Sequence, residues 1–495
     1  MGQLSMFTTT DRAGLVVVSK DDSFDEILGY VDKNKSISRL PDGFRWWAEA
    51  MDACLSSQLQ NGTTRRAKAA YKPTDYFLTS TWGQDFPYNA KCPSIDGKLP
   101  PCGCVATATS QVLRYYRYPE AGTGYGTYVV GTAMPHPDKI FSTYNWDLMP
   151  DSCVNGEAED PSVIDAVSTL VYEVGLAASM VYDLQGSSAM YADMTLGLAR
   201  NFGYCENALR CYRRDFFSSD EWMEMIYRCI EQKLPVLYGG NDKRYGGHAF
   251  VLDGIDADGL VHVNWGWDGD YDGYYNIEYL NPNGMAFAYG QDVILGLKPY
   301  AQPTEEDVME SYICMQELFT FASKVSLSRQ ISLSLPVIYN LYFKRFDGDI
   351  AINVVNVDDE TECYEKSIVN GSVSVESLYG LESKTSPFWR ITTLKEGAYK
   401  VFLTSQDKNE PTKSIVRAPE GMYGYTINVD SKGMISVADT LVRHASVWPP
   451  DDDAIQSVLA DKAPEVKGFY NLAGQSVARP AKGIYIQNGR KVLVK

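Results

Sequence analysis

The sequence predicts an α+β protein with several domains, and three observations lead there. Apolar residues at 105, 108, 112, 113 and 116 repeat with the one-sided spacing of a buried helix opening at Cys104. From Pro235 to Leu280 the pattern turns to strands and turns, and its clearest hairpin is His248–Ile255, Asp256-Ala257-Asp258-Gly259, Leu260–Trp265. Beyond Pro299, short strands such as Ile350–Val355 and Gly397–Leu403 alternate with Gly, Asn and Asp turns, the pattern of a β-sandwich. A chain of 495 residues exceeds one compact core.

In chain order, Gly14–Ser19 and Phe24–Tyr30 read as strands. Pro41-Asp42 opens an amphipathic helix with Phe44, Trp47, Met51 and Leu55 on one stripe. Asn61–Ala70 is polar, small and basic, an exposed linker open to nicking. Residues 72–300 carry the chemistry. The helix at 104–116 is followed by a Gly/Tyr/Pro-rich loop to about 145, then by helical patterns at 161–179, 190–202 and Trp222–Gln232. A short helical stretch at 304–320 leads into the β-rich region. Acidic Pro449–Asp453 precedes a last module, Gly468–Lys495, of short strands with a basic end. The expected domains are 1–66, 67–300, 301–460 and 461–495.

Composition narrows the partners. The net charge of −18 argues against nucleic acid. No run of 18 apolar residues occurs, so no membrane span is expected. The longest early apolar stretch, Leu15–Val18, is too short for a signal-peptide core. That leaves a cytosolic protein or a start downstream of the native one. The 10 cysteines are irregularly spaced, so this is no disulfide scaffold, although Cys92 and Cys102 flank a Pro-rich loop and are candidates to pair.

Most cysteines are small buried hydrophobes, but Cys104 has an unusual setting. Gly103 precedes it, and the helix it opens places the thiol at a positive dipole end, which lowers a thiol's pKa and favours a thiolate nucleophile. Gly246-Gly247-His248 follows, with the histidine 144 residues after Cys104, the chain order of papain-like peptidases. Of the 4 histidines, His262 reads as a packed strand residue, His136 as loop, and His444 lies near the far end of the chain. With the hairpin turn centred between 257 and 258, His248 lies opposite Trp267, and Trp265 shares its face. Asn264 is a candidate to hold the second imidazole nitrogen, but this register turns it to the other face unless a bulge intervenes. The alternative is that the tryptophans and Asn264 merely pack a strand end. For an oxyanion, the Cys104 N–H and the Gln84 side-chain amide are the candidate donors.

Metal and cofactor are not expected. Asp268-Gly269-Asp270-Tyr271-Asp272-Gly273 imitates the start of a calcium loop. Tyr279 stands where the closing glutamate belongs, with Glu278 one residue early. Cys102-x-Cys104 lacks a second pair for zinc.

Several segments resemble the streptopain-type cysteine peptidases: Trp82-Gly83-Gln84…Pro87-Tyr88-Asn89, Gly103–Ala108, Tyr116–Pro119, Gly247–Gly254 and Val261–Trp267. The resemblance implies a papain-like fold, Cys104 as nucleophile, His248 as base and acid, Gln84 at the oxyanion and Trp265 beside the histidine. It also implies that Ser188 and Gly247 contact substrate, and that an apolar side chain is favoured two positions before the cut. Residues 13–60 are similar to the end of the family's inhibitory prodomain, whose beginning is missing here. The tail Gly483–Lys495 is similar to C-terminal sorting modules of secreted bacterial proteins. These likenesses imply a secreted or cell-surface endopeptidase, made as a zymogen, acting on proteins or peptides and inhibited by its own prodomain. The alternatives are a cysteine amidase of cell-wall peptides and an adhesion protein with a vestigial peptidase part.

Overall fold

The structure, a computed structural model, describes residues 2–8, 14–32, 42–61, 72–153, 159–242, 246–277, 291–299, 311–321, 328–368, 373–381, 388–445, 469–470, 476–477, 483–487 and 490–494. The linker core 62–71, the would-be calcium closers Glu278 and Tyr279, and Pro449–Asp453 lie outside the described residues. Two compact units divide the chain at His444 and Ala445.

Nine strands of the first unit form one sheet. They are β1 (Leu4–Thr8), β2 (Leu15–Ser19), β3 (Ile27–Val31), β4 (Arg210–Arg213), β5 (Val236–Asp242), β6 (Gly246–Ile255), β7 (Val261–Asn264), β8 (Gly273–Tyr275) and β9 (Asp292–Leu295). Their order across the sheet is β1-β2-β3-β8-β7-β6-β5-β9-β4. The N-terminal strands therefore extend the same sheet that carries the 248–264 hairpin. The junction is antiparallel, with Tyr30 opposite Tyr274 and Gly29 opposite Tyr275.

Five helices accompany the sheet: α1 (Asp42–Asn61), α2 (Cys104–Tyr116), α3 (Pro161–Ala177), α4 (Tyr191–Phe202) and α5 (Ser219–Glu231). Each answers a helical pattern in the sequence. The stripe on α1 is buried at Phe44, Trp47, Met51 and Leu55. Phe44 meets the Tyr271 ring at 5.0 Å and Trp47 meets Tyr275 at 4.8 Å. The Trp47 indole N–H donates to the Asn276 carbonyl at 2.8 Å, so its polar end is satisfied where its ring is buried. Helix α3 is capped by Asp160, whose carboxylate accepts from Ser162 N–H, and Pro161 follows the cap.

Two elements differ from the sequence reading. The stretch expected as helix at 304–320 contains strands Ile313–Met315 and Thr320–Phe321 within its described part. Ile313–Met315 is buried and pairs with Ile338–Asn340, a long-range partner that overrides local propensity. His136, read as loop, lies in strand His136–Lys139, paired with Tyr125–Val130.

The β-rich region up to residue 444 packs around Ile350, Ile352, Val354, Val401, Leu403 and Ile427. Their alternation on long strands Phe346–Asn356 and Gly397–Asp407 buries one face of a seven-stranded sheet. It is joined to α5 by Arg417, whose guanidinium grips Glu221 with two hydrogen bonds of 2.9 and 2.7 Å. The second unit contains a four-stranded antiparallel sheet, including Gly483–Gln487 paired with Arg490–Val494.

Candidate active site

Helix α2 begins at Cys104 because Gly103 makes its entry possible. Gly103 has φ of 95°, a conformation that favours glycine, and a Cβ there would lie 2.8 Å from the Met180 side chain. The loop leading in is anchored twice. Cys102 N–H donates to the Gln84 carbonyl at 2.9 Å, and the Ser187 hydroxyl donates to the Pro101 carbonyl at 2.6 Å. Thr107, one turn into α2, donates to the Gly83 carbonyl at 3.2 Å. Gln84 is thus held by its backbone in the loop beside the helix start.

Cys104 is partly buried and lines a cavity of about 430 Å³. His248 and Gly247, at the start of β6, line the same cavity, as do Ser188, Met190, Tyr191 and Asp193. The elements thus bring together Cys104, His248, Ser188 and Gly247. Ser188 is exposed and its backbone bridges Val181 in both directions.

The thiol's ionisation differs from the dipole expectation. Burial pushes the Cys104 pKa up, and this outweighs the Ala249, Val105 and Cys104 backbone N–H groups that favour the thiolate. A thiol in this position needs a base. Cys92 and Cys102 are buried free thiols, both raised by burial, with Cys102 Sγ 3.2 Å from Thr107 Oγ1.

The hairpin holds His248 from behind. Its Nε2 lies 2.9 Å from the Trp265 carbonyl, and the Trp267 indole N–H approaches the same nitrogen at 2.9 Å. The Trp265 ring stacks 6.2 Å from the imidazole and is fully buried. Near the turn the register pairs Val261 with Ile255 and His262 with Gly254. A bulge at His262/Val263 then sets Val263 opposite Leu252 and Asn264 opposite Val251. From there on the register is the one expected from a turn centred between 257 and 258. The ladder ends at Asn264, and Trp267 reaches His248 through its indole ring rather than through strand pairing.

The bulge does not turn Asn264 to the histidine. Its amide donates to the Ser80 carbonyl at 2.7 Å, and its Oδ1 accepts from Gln111 Nε2 at 3.0 Å and from Gly266 N–H at 3.1 Å. The oxygen on the imidazole is the Trp265 carbonyl, and Asn264 ties the Trp265 turn to α2. Gln111 is a fully buried polar residue on α2, and its Oε1 also accepts from Trp82 N–H at 3.1 Å. Gln111 lies off the apolar positions 105, 108, 112, 113 and 116, so no local pattern marks this linkage. Asp272, in the segment that imitates a calcium loop, is a second support: its carboxylate accepts from Trp265 N–H at 2.7 Å.

His262 stands apart from the cavity, as its strand position indicated. Its Nδ1 lies 2.5 Å from Asp253, whose other oxygen accepts from Phe77 and Leu78 N–H. The His262 ring stacks on Tyr76 at 4.3 Å.

This architecture has relatives. The Peptidase C10 family model matches residues 82–275. The thiol protease/hemagglutinin PrtT of Porphyromonas gingivalis is 29% identical over 325 residues, covering 59% of this chain and 37% of that protein. The chain thus spans little more than a third of PrtT's length. Streptopain of Streptococcus pyogenes is 31% identical over 316 residues, covering 58% of this chain and 78% of that protein. A solved fragment of Prevotella intermedia prointerpain A superposes with a TM-score of 0.55 at 33% identity, covering 61% of this chain and 97% of that one. Its papain-like peptidase fold is the fold of this chain too. The chain belongs to the peptidase C10 family, the streptopain-like cysteine peptidases.

Proposed function

We propose that the chain is a secreted or cell-surface endopeptidase made as a zymogen, in which Cys104 and His248 perform acyl transfer. The carrying observation is that Cys104 and His248 line one cavity while His248 is fixed from behind through Nε2. Nε2 faces the Trp265 carbonyl and the Trp267 indole N–H, so proton exchange with the thiol falls to Nδ1 in this reading. His248 takes the thiol proton as sulfur attacks the peptide carbonyl. The oxyanion is met by the Cys104 N–H and the Gln84 amide. The imidazolium then protonates the leaving amine, and water releases the acyl group. Trp265 shields the pair, and Ser188 and Gly247 line the substrate's path. Asn264 acts at one remove, through the turn it anchors.

The domain plan that accompanies this reading is a prodomain segment and linker at 1–66, the peptidase at 67–300, β-rich accessory structure at 301–460 and a sorting-type module at 461–495. The partner of the peptidase, apart from substrate, is its own N-terminal segment. Supporting this, that segment is continuous with the peptidase sheet through β3 and β8.

The test is hydrolysis of casein and of muropeptides by the wild-type chain and by Cys104→Ala. Casein cleavage that disappears in the variant supports the endopeptidase. Cleavage of muropeptides alone would point to an amidase, and no thiol-dependent cleavage of either would leave a binding protein.

A further inference from the structure

The cavity beside Cys104 is lined by apolar side chains and by two carboxylates. Val181, Met190 and Tyr191 line its sides, whereas Asp193 and Asp292 line it from two unrelated elements. Asp193 sits in the first turn of α4, and Asp292 opens β9 opposite Gly239 of β5 and Arg213 of β4. Gly239 also lines the cavity, and a Cβ there would crowd the Tyr191 ring at 3.2 Å.

Among the described residues the charges of this cavity do not balance. Arg213 is the cation near Asp292 among the described residues, and it serves Asp215 at 3.1 Å before Asp292 at 3.9 Å. Asp292 Oδ1 is buried and has no hydrogen-bond partner among the described residues. Asp193 has no ion pair among the described residues, and burial raises its carboxyl pKa. Two carboxylates held this way in a substrate cavity are under-neutralised, a state that an incoming cation relieves.

We propose that this pocket selects a basic side chain, arginine or lysine, two positions before the cut, with the stem along Val181, Met190 and Tyr191 and the charged tip at Asp193 and Asp292. Long basic side chains suit such a pocket because their methylenes pack on apolar surface while the head reaches a polar end. The inference rests on the peptidase reading above, and departs from the apolar preference that the family resemblance implies.

The test compares fluorogenic peptides carrying arginine, its neutral isostere citrulline, or norleucine at that position. The expected kcat/KM ratio of arginine to citrulline is about 10 or more in the wild-type chain, the scale of one charge-assisted contact. Asp292→Asn and Asp193→Asn should each lower the ratio, and the double variant should bring it to about 1. A wild-type ratio near or below 1, or a ratio unchanged in the double variant, overturns the proposal. If norleucine peptides are still cleaved and Cys104→Ala abolishes that cleavage, the peptidase reading survives the loss. If no peptide is cleaved in a Cys104-dependent way, both fall.

Discussion

The Trp265 carbonyl lies 2.9 Å from His248 Nε2, so the imidazole is steered by backbone. Main chain cannot be deleted by substitution, and its direction is set by what holds the turn. Here that is Asp272 on the Trp265 N–H and Asn264 on the Gly266 N–H. The orienting group is as rigid as the turn that carries it.

The two hairpin histidines should separate chemistry from stability. His248→Ala is expected to reduce kcat at least 10³-fold, on the order of a lost acid–base group, with little change in Tm. His262→Ala strands the buried Asp253 carboxylate and should destabilise by about 3–5 kcal/mol. The soluble His262→Ala protein should keep its activity per folded molecule. Thermal unfolding and active-site titration of both variants check this.

Asp272 makes a pH-dependent contribution of defined sign. Burial pushes its carboxyl up to about 7, with the His262 imidazole pulling the other way. Its folded pKa exceeds the unfolded value, so the folded state favours the neutral acid. That favours folding at low pH, and the advantage is lost as pH rises from about 4 to about 7. Asp272→Asn keeps an acceptor for Trp265 N–H without the charge. The Tm of wild type relative to this variant should therefore fall between pH 5 and 8. A difference independent of pH would contradict the assignment.

Trp47→Ala should loosen the N-terminal segment. It removes the ring packed on Tyr275 and the bond to the Asn276 carbonyl, a loss of about 3–5 kcal/mol in local packing. The uncleaved variant is expected to show higher peptide hydrolysis than the uncleaved wild type, measured within minutes of mixing so that processing does not intervene.

The basic-residue preference should strengthen with pH. Burial raises the Asp292 carboxyl to about 6, countered by Arg213 and reinforced by Asp215. The groups facing it are Arg213, Asp215 and Cys211 near β4, Tyr191 and Asp193 on α4, and Tyr238 on β5. Asp292 is largely neutral at pH 5 and charged at pH 7. The arginine-to-citrulline ratio should rise over that interval in the wild-type chain and stay flatter in Asp292→Asn. Titration of the thiol and imidazole affects both peptides equally and cancels.

Local pattern made much of this legible. The helices beginning at Cys104, Pro161 and Tyr191 follow from apolar period, and the hairpin of β6 and β7 from its Asp-Gly turn. Long-range features were not legible. Nothing near Tyr30 says that it will pair with Tyr274. Ile313–Met315 became a strand because Ile338–Asn340 was available to it. Asp193 and Asp292 meet in one cavity from distant parts of the chain, and neither has a local motif. Cys104 does open its helix, but burial acts more strongly on the thiol than the helix dipole does.

The shared sheet has a consequence for maturation. A break between residues 61 and 72 severs the chain but leaves β3 bonded to β8, and Phe44 and Trp47 seated on Tyr271 and Tyr275. Scission and departure are then separate events, and the onset of activity should lag behind the appearance of the cut by the lifetime of that nicked complex. Once the fragment leaves, the Gly273–Tyr275 backbone becomes a raw sheet margin, able to recapture the fragment or to recruit another extended chain.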